Sequence, residues 1–168
     1  MRVPYLTSSE VSSEVNQLSI AELTPETFAA FGEVGGPLTD GGHGIGDVAL
    51  DLSAGVPRFY IMRLSGRGLA FEAMARHDRV TQCLGAADGR PWLIAVAPAG
   101  VEKPGPSDVR AFRIPADRFI KLGRGTWHAG PYFSENQRDF YNLELTDTNT
   151  ADYRVCELAE PLAFAPGH

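Results

Sequence analysis

The spacing of the apolar runs constrains this chain more than any other feature. From residue 48 onward they are short: RFYIMRL, TQCLGA, PWLIAVAP, VRAFRIP, FIKL and FYNLEL, separated by Gly, Pro and Asp turns. Runs this short, rich in β-branched and aromatic side chains, cross a sheet but do not complete an average helix. Several of them at close spacing predict an all-β sandwich or closed barrel. One helix is expected before them, in SIAELTPETFAAFGEVG. There Thr24 suits an N-cap, Pro25 the first helical position and Gly32 the stop. A helix over 25–31, with Phe28 and Phe31 on one face, would pack outside the barrel. Residues 1–17 are polar, Ser-rich and unpatterned, which predicts a loose N-terminal arm. The tail AEPLAFAPGH reads as a strap or a frayed end. No repeat, low-complexity tract or linker divides the chain, so residues 1–168 are expected to form a single domain.

The charge and apolar content narrow the partners. A net charge of −6 argues against nucleic acid and for a small-molecule role. No apolar run reaches the roughly 18 residues of a membrane span. MRVPYLTSSEVSSEVNQ lacks the apolar core of a signal peptide, so the sequence reads as cytoplasmic. Arginine greatly outnumbers lysine, which leaves room for bidentate recognition of a carboxylate. Cys83 and Cys156 are too few for a disulfide framework and lack metal-ligand spacing, so both are expected free, with Cys83 a small core residue. GIGDVA has the spacing of a nucleotide-binding fingerprint, but no strand precedes it and no long helix follows. The glycine-rich 35–47 segment therefore reads as a flexible loop or hairpin, with His43 solvated.

Two segments carry candidate chemistry. Residues 72–89 and 121–132 each place one histidine, His77 or His128, near the end of a β-like run. Small barrels bind ligands in their mouths with inward side chains from several strands. The cupin barrel has two such motifs, His-x-His followed by Glu, and Pro-x-Gly-x-x-His. In Gly123-Arg124-Gly125-Thr126-Trp127-His128 the glycine and final histidine of the second remain. In the first, His77 keeps the second histidine, Ala75 stands for the other and Gln82 for the carboxylate. Two imidazoles and a neutral amide make a poor cage for a first-row ion, so no cofactor is expected. A divalent metal, if held, would sit among His77, Gln82 and His128, with Glu72 or Glu144 as reserve ligands. Trp127 and His128 alternate along one strand, so Trp127 should pack outward and His128 point in.

The blocks LTPETFAAFGEV, ARHDRVTQCL, WLIAVA, VRAF, GRGTWHAGPYF and RDFYNLEL, in this order and spacing, resemble the ureidoglycolate lyase family, formerly ureidoglycolate hydrolase, from about Leu23 to Cys156. The resemblance implies a cupin-like double-stranded β-helix, or jelly-roll barrel, and cleavage of ureidoglycolate to glyoxylate and urea in purine and allantoin catabolism. It departs from the family at Ala75, where Glu is usual, and at Ala129, where a second histidine is usual. The implied catalytic residues are His77 and His128, because releasing urea requires taking a hydroxyl proton and giving one to nitrogen. Arg76, Lys121 and Arg138 are candidate clamps for the carboxylate of the small substrate, and Gln82, Tyr141 and Glu144 candidate hydrogen-bonding groups. Residues 141 and 142 point to opposite faces of a strand, so only one of Tyr141 and Asn142 can face the site. A homodimer is expected, since barrels of the family pair. Rival readings are a non-catalytic barrel that binds a small carboxylate or sugar, which Ala75 and Ala129 favour, and a cupin enzyme with another substrate.

Overall fold

The computed structural model describes residues 15–167. In chain order the elements are β1 (Asn16–Leu18), β2 (Ile20–Ala21), α1 (Pro25–Phe28), β3 (Gly32–Gly35), β4 (Pro57–Ser65), β5 (Ala70–Arg76) and β6 (Gln82–Ala86). There follow β7 (Trp92–Ala97), β8 (Arg110–Ile114), β9 (Phe119–Leu122), β10 (Trp127–Tyr132), β11 (Gln137–Leu145), α2 (Thr148–Ala151) and β12 (Arg154–Phe164). Every short run of the sequence thus becomes a strand, because none is long enough to be anything else. The strands form a seven-stranded sheet, β1-β12-β5-β10-β7-β8-β2, and a five-stranded sheet, β3-β9-β6-β11-β4. Together they make the jelly-roll barrel of the cupin class. No helix among the described residues is long and apolar enough to cross a membrane.

Alternation along each strand sorts side chains between the barrel interior and its outside. Leu84, Trp92, Ile94, Phe112, Ile114, Ile120 and Phe140 meet between the sheets, each 2% exposed or less. A fully buried side chain of this kind stabilises by about 1.5–3 kcal/mol, so this interior dominates the fold. The residues one step along, Ala95, Ala97, Ala111, Trp127 and Ala129, form a second cluster on the outer side of the seven-stranded sheet with Leu18, Val109 and Phe164.

Four expectations change. The helix is a single turn, 25–28, and its aromatics are core rather than outside: Phe28 and Phe31 close on Phe112 with centroids at 5.2 and 5.8 Å. Its start is as read, since Thr24 Oγ1 accepts from the Thr27 amide at 3.1 Å while Thr27 Oγ1 accepts from the Thr24 amide at 2.9 Å. Past residue 28 the chain turns toward β3, and the Phe31 carbonyl accepts from the Gly123 amide and the Thr126 hydroxyl, both at 2.9 Å. The tail is neither strap nor fray but part of the long strand β12, whose register shifts between Glu157 and Leu162, where Pro161 interrupts the ladder. The expected loose arm lies outside the described residues as far as 14, yet Asn16–Leu18 pairs in parallel with Leu162–Phe164. The glycine-rich segment is largely irregular, and His43 is exposed as expected. Both cysteines are free, but Cys83 is only partly buried and lies on the outer face of the five-stranded sheet beside Phe119, not in the core.

Candidate active site

The turn before β10 aims the first imidazole and ties it to the second. Gly125 has φ +77°, and a Cβ there would come within 3.3 Å of Asp78 Oδ1, so the position requires glycine. Its amide donates to the His77 carbonyl at 2.6 Å, locking the two histidine segments together. Trp127 then faces outward, its Nε1–H donating to the Val101 carbonyl at 2.7 Å, and strand alternation turns His128 inward opposite Ala75. His77 follows the end of β5. Asp152 holds that corner three times, its carbonyl 2.7 Å from His77 Nδ1 and its carboxylate accepting from the Asp78 and Arg79 amides at 2.8 Å.

The rings of His77 and His128 lie 5.1 Å apart, centroid to centroid, and both line a cavity of about 530 Å³ between the sheets. Their tautomers follow from their partners. A carbonyl only accepts, so Nδ1 of His77 donates to Asp152 and Nδ1 of His128 donates to Thr126, at 3.2 Å. Nε2 is the ring nitrogen each leaves for the cavity. His128 is 9% exposed; burial first, and its neighbour His77 second, pull its pKa down to about 4, so it is uncharged at neutral pH.

The facing wall is a polar network on β4, β6 and β11. Glu144 accepts from the Tyr60 hydroxyl at 3.1 Å and from Gln82 Nε2 at 3.1 Å. Asn142 accepts from Gln82 Nε2 at 3.1 Å and donates to the Tyr60 oxygen at 3.1 Å. Gln82 Oε1 is buried and without a partner among the described residues.

Four residues expected at the site lie elsewhere. Arg76 occupies the outward register of β5, its guanidinium 5.0 Å from the Trp127 ring and its Nε 2.9 Å from Asp78. Lys121 faces out from β9 and pairs with Glu33 on β3, which holds that carboxyl below its usual range. Tyr141 is on the outer face, stacked on Phe59 at 5.7 Å, and it is Asn142 that faces the cavity. Arg138 points inward but at the other end of β11, chelating Asp88 at 2.7 and 2.9 Å. Ala129, taken as a lost site residue, packs in the outer cluster; Ala75 does line the cavity.

The sequence reading missed Asp152, Tyr60 and Arg67. Arg67 is the one Lys or Arg among the cavity-lining residues, with its guanidinium 4.5 Å from the Tyr132 ring. Its signal was legible, an arginine between two glycines joining two β runs. For a metal, the histidine end of the cavity offers two imidazole Nε2 atoms and the Gln82 amide oxygen; Glu144 is already engaged by its neighbours, and Glu72, exposed on β5, lines the same cavity without converging on the histidines. Among the described residues no three His, Cys, Asp or Glu side chains converge. That donor set falls short of what a tightly held first-row ion requires.

The family model described as ureidoglycolate lyase matches residues 43–165. The chain is similar to the ureidoglycolate lyase of Brucella ovis, 31% identical over 163 residues, covering 87% of this chain and 94% of the relative. The Brucella suis protein of the same name matches equally. The ureidoglycolate lyase of Azotobacter vinelandii is 29% identical over 124 residues, 66% of this chain and 74% of its own.

Proposed function

The chain belongs to the ureidoglycolate lyase family, and from that premise we propose that it cleaves ureidoglycolate to glyoxylate and urea. This makes it a carbon–nitrogen lyase of the amidine-lyase type, serving purine and allantoin breakdown. One observation carries the assignment to this cavity: two buried imidazoles, each with Nδ1 committed to a backbone carbonyl, share one polar-walled space.

The reaction moves one proton from the substrate hydroxyl to the departing urea nitrogen as the C–N bond breaks and the C=O bond forms. We assign the accepting role to Nε2 of His128, uncharged at neutral pH, with His77 beside it. The proton count closes within the pair: what an imidazole takes from oxygen, the pair returns to nitrogen. A carboxylate bound beside His128 opposes the effect of burial and raises its proton affinity toward working pH. Arg67 replaces Arg76, Lys121 and Arg138 as the cation for that carboxylate. It precedes β5, at the end opposite His77, and β5 alone spans about 20 Å at a strand rise of about 3.3 Å per residue. At that separation it attracts the anion to the mouth rather than gripping it at the imidazoles.

The test is glyoxylate and urea release from ureidoglycolate by the purified protein. Equimolar release, reduced in both His77→Ala and His128→Ala, is the expected result; a wild-type protein releasing neither ends the reading. The position of Ala129 outside the cavity removes half the argument for a decayed, binding-only barrel.

We further propose that the protein works as a cytoplasmic homodimer joined through the outer face of the five-stranded sheet. Phe59, Ile61 and Tyr141 stand 68%, 57% and 44% exposed there on the paired strands β4 and β11, an apolar patch that a second copy would cover. The free thiols fit a reducing compartment. Ile61→Glu should give a monomeric mass by light scattering, and a wild-type monomer at micromolar concentration would refute the dimer.

A further inference from the structure

The polar wall has a direction, and Glu144 sets it. A carboxylate oxygen 3.1 Å from the Gln82 side-chain amide requires the NH₂ there, since the reverse orientation would set two acceptors against each other. The same NH₂ group meets Asn142 Oδ1 at 3.1 Å. Asn142 is itself held in that sense, because its Nδ2 donates to the Tyr60 oxygen, whose proton goes to Glu144. Each link points back to the carboxylate. Gln82 therefore cannot turn, and its Oε1 is left as a bare acceptor: the residue is 6% exposed and the oxygen has no partner among the described residues. A buried unpaired acceptor is costly, about 1–3 kcal/mol, and because Gln82 lines the cavity, a ligand N–H or a water arriving there is what can relieve it.

We propose that Gln82 is the specificity-determining residue that reads the ureido end of the substrate, its Oε1 accepting a urea N–H, with Glu144 as the positioning residue that holds it in that role. The inference rests on the lyase reading of this cavity and adds the orientation of the substrate, urea nitrogen toward Gln82. It also names the class of ligand refused: hydroxy acids of the same size that carry no N–H leave the acceptor unpaired.

Calorimetric titration of the whole protein with urea and, separately, with glyoxylate tests it. In Gln82→Met, which keeps the length and loses the amide, urea should bind about tenfold more weakly or worse. Glyoxylate affinity should stay within about twofold. A wild-type measurement needs no variant: tetramethylurea, which keeps the carbonyl and has no N–H, should fail to compete with urea. Equal weakening of both products in Gln82→Met, or equal binding of urea and tetramethylurea by the wild type, overturns the proposal. Turnover of ureidoglycolate is scored apart. Selective loss of urea binding without wild-type turnover keeps Gln82 as an N–H reader and refutes the lyase, while turnover with urea affinity untouched by the substitution refutes the reader alone.

Discussion

Strand β11 carries inward polar groups at both ends of the barrel, and they have opposite fates. At one end Arg138, its side chain 1% exposed, gives hydrogen bonds to both oxygens of Asp88 and to the carbonyls of Arg90 and Pro91. Asp88 is held far below the usual carboxylate range by Arg138 first. Arg138 and both Asp88 oxygens are fully engaged there, although Arg138 also borders a cavity of about 340 Å³ with Arg90, Trp92 and Phe133. At the other end Asn142 and Glu144 are also bonded, but the chain of bonds stops at Gln82 Oε1 and at two imidazole Nε2 atoms. A completed polar cluster is a bolt; an incomplete one, facing a cavity, is a binding surface. Burial alone did not separate the two.

The sharpest way to break the comparison is Arg138→Met. Removing Arg138 leaves Asp88 with Arg90 alone and the carbonyls of Arg90 and Pro91 without their donor, and should cost about 3 kcal/mol of stability by denaturant titration, at about 1–3 kcal/mol per unpaired carbonyl. Turnover of the folded fraction should stay within about twofold. If turnover collapses while stability holds, Arg138 belongs to the site and the contrast is wrong.

Acid should act on the other end. His128 falls to about 4 in the fold against 6.5 in the unfolded chain. Between those values the unfolded chain binds a proton that the folded chain refuses. The stability present above about pH 6.5 is therefore lost as pH falls toward 4, by on the order of 3 kcal/mol. His128→Asn should flatten that slope in urea melts run across the window, and an unchanged slope would assign the acid sensitivity to other groups.

His77→Ala and His128→Ala should each lower kcat/KM by about 10²-fold, equivalent to about 2.7 kcal/mol of barrier, with a smaller loss of stability than Arg138→Met. The reverse ranking, normal turnover with a large drop in melting temperature, would make the imidazoles structural. The mildest change, Thr24→Ala, removes half of the reciprocal cap on the one-turn helix and should cost about 1 kcal/mol, with no effect on turnover.

Much of this was legible because alternation is a local property. The inward turn of His128 against Trp127 follows from a period of two residues along one strand; the same period says that only one of Tyr141 and Asn142 faces inward but not which, and it is Asn142 rather than the expected Tyr141. The arginines were not legible by the same rule. Arg138 obeys it and points inward, yet it is spent on Asp88, 50 residues earlier in the chain. Arg76 lies beside His77 in sequence and on the opposite face of the sheet. β12 was hidden because Pro and Ala carry no strand signal, and only its partners β5 and β1 make it a strand.

By itself the sequence determined the all-β class, the positions of β4, β6, β7, β8, β9 and β11, the capped start of the helix and the pair of inward histidines, because each depends on residues within a few positions of one another. Only the tertiary structure decided which polar groups were left with something to bind. Glu144 meets Tyr60 at a separation of 84 residues and Gln82 at 62, and His77 meets Asp152 at 75. Whether an acceptor ends up paired or bare is settled by which strands the closed barrel sets side by side, and that is not written in any single stretch of the chain.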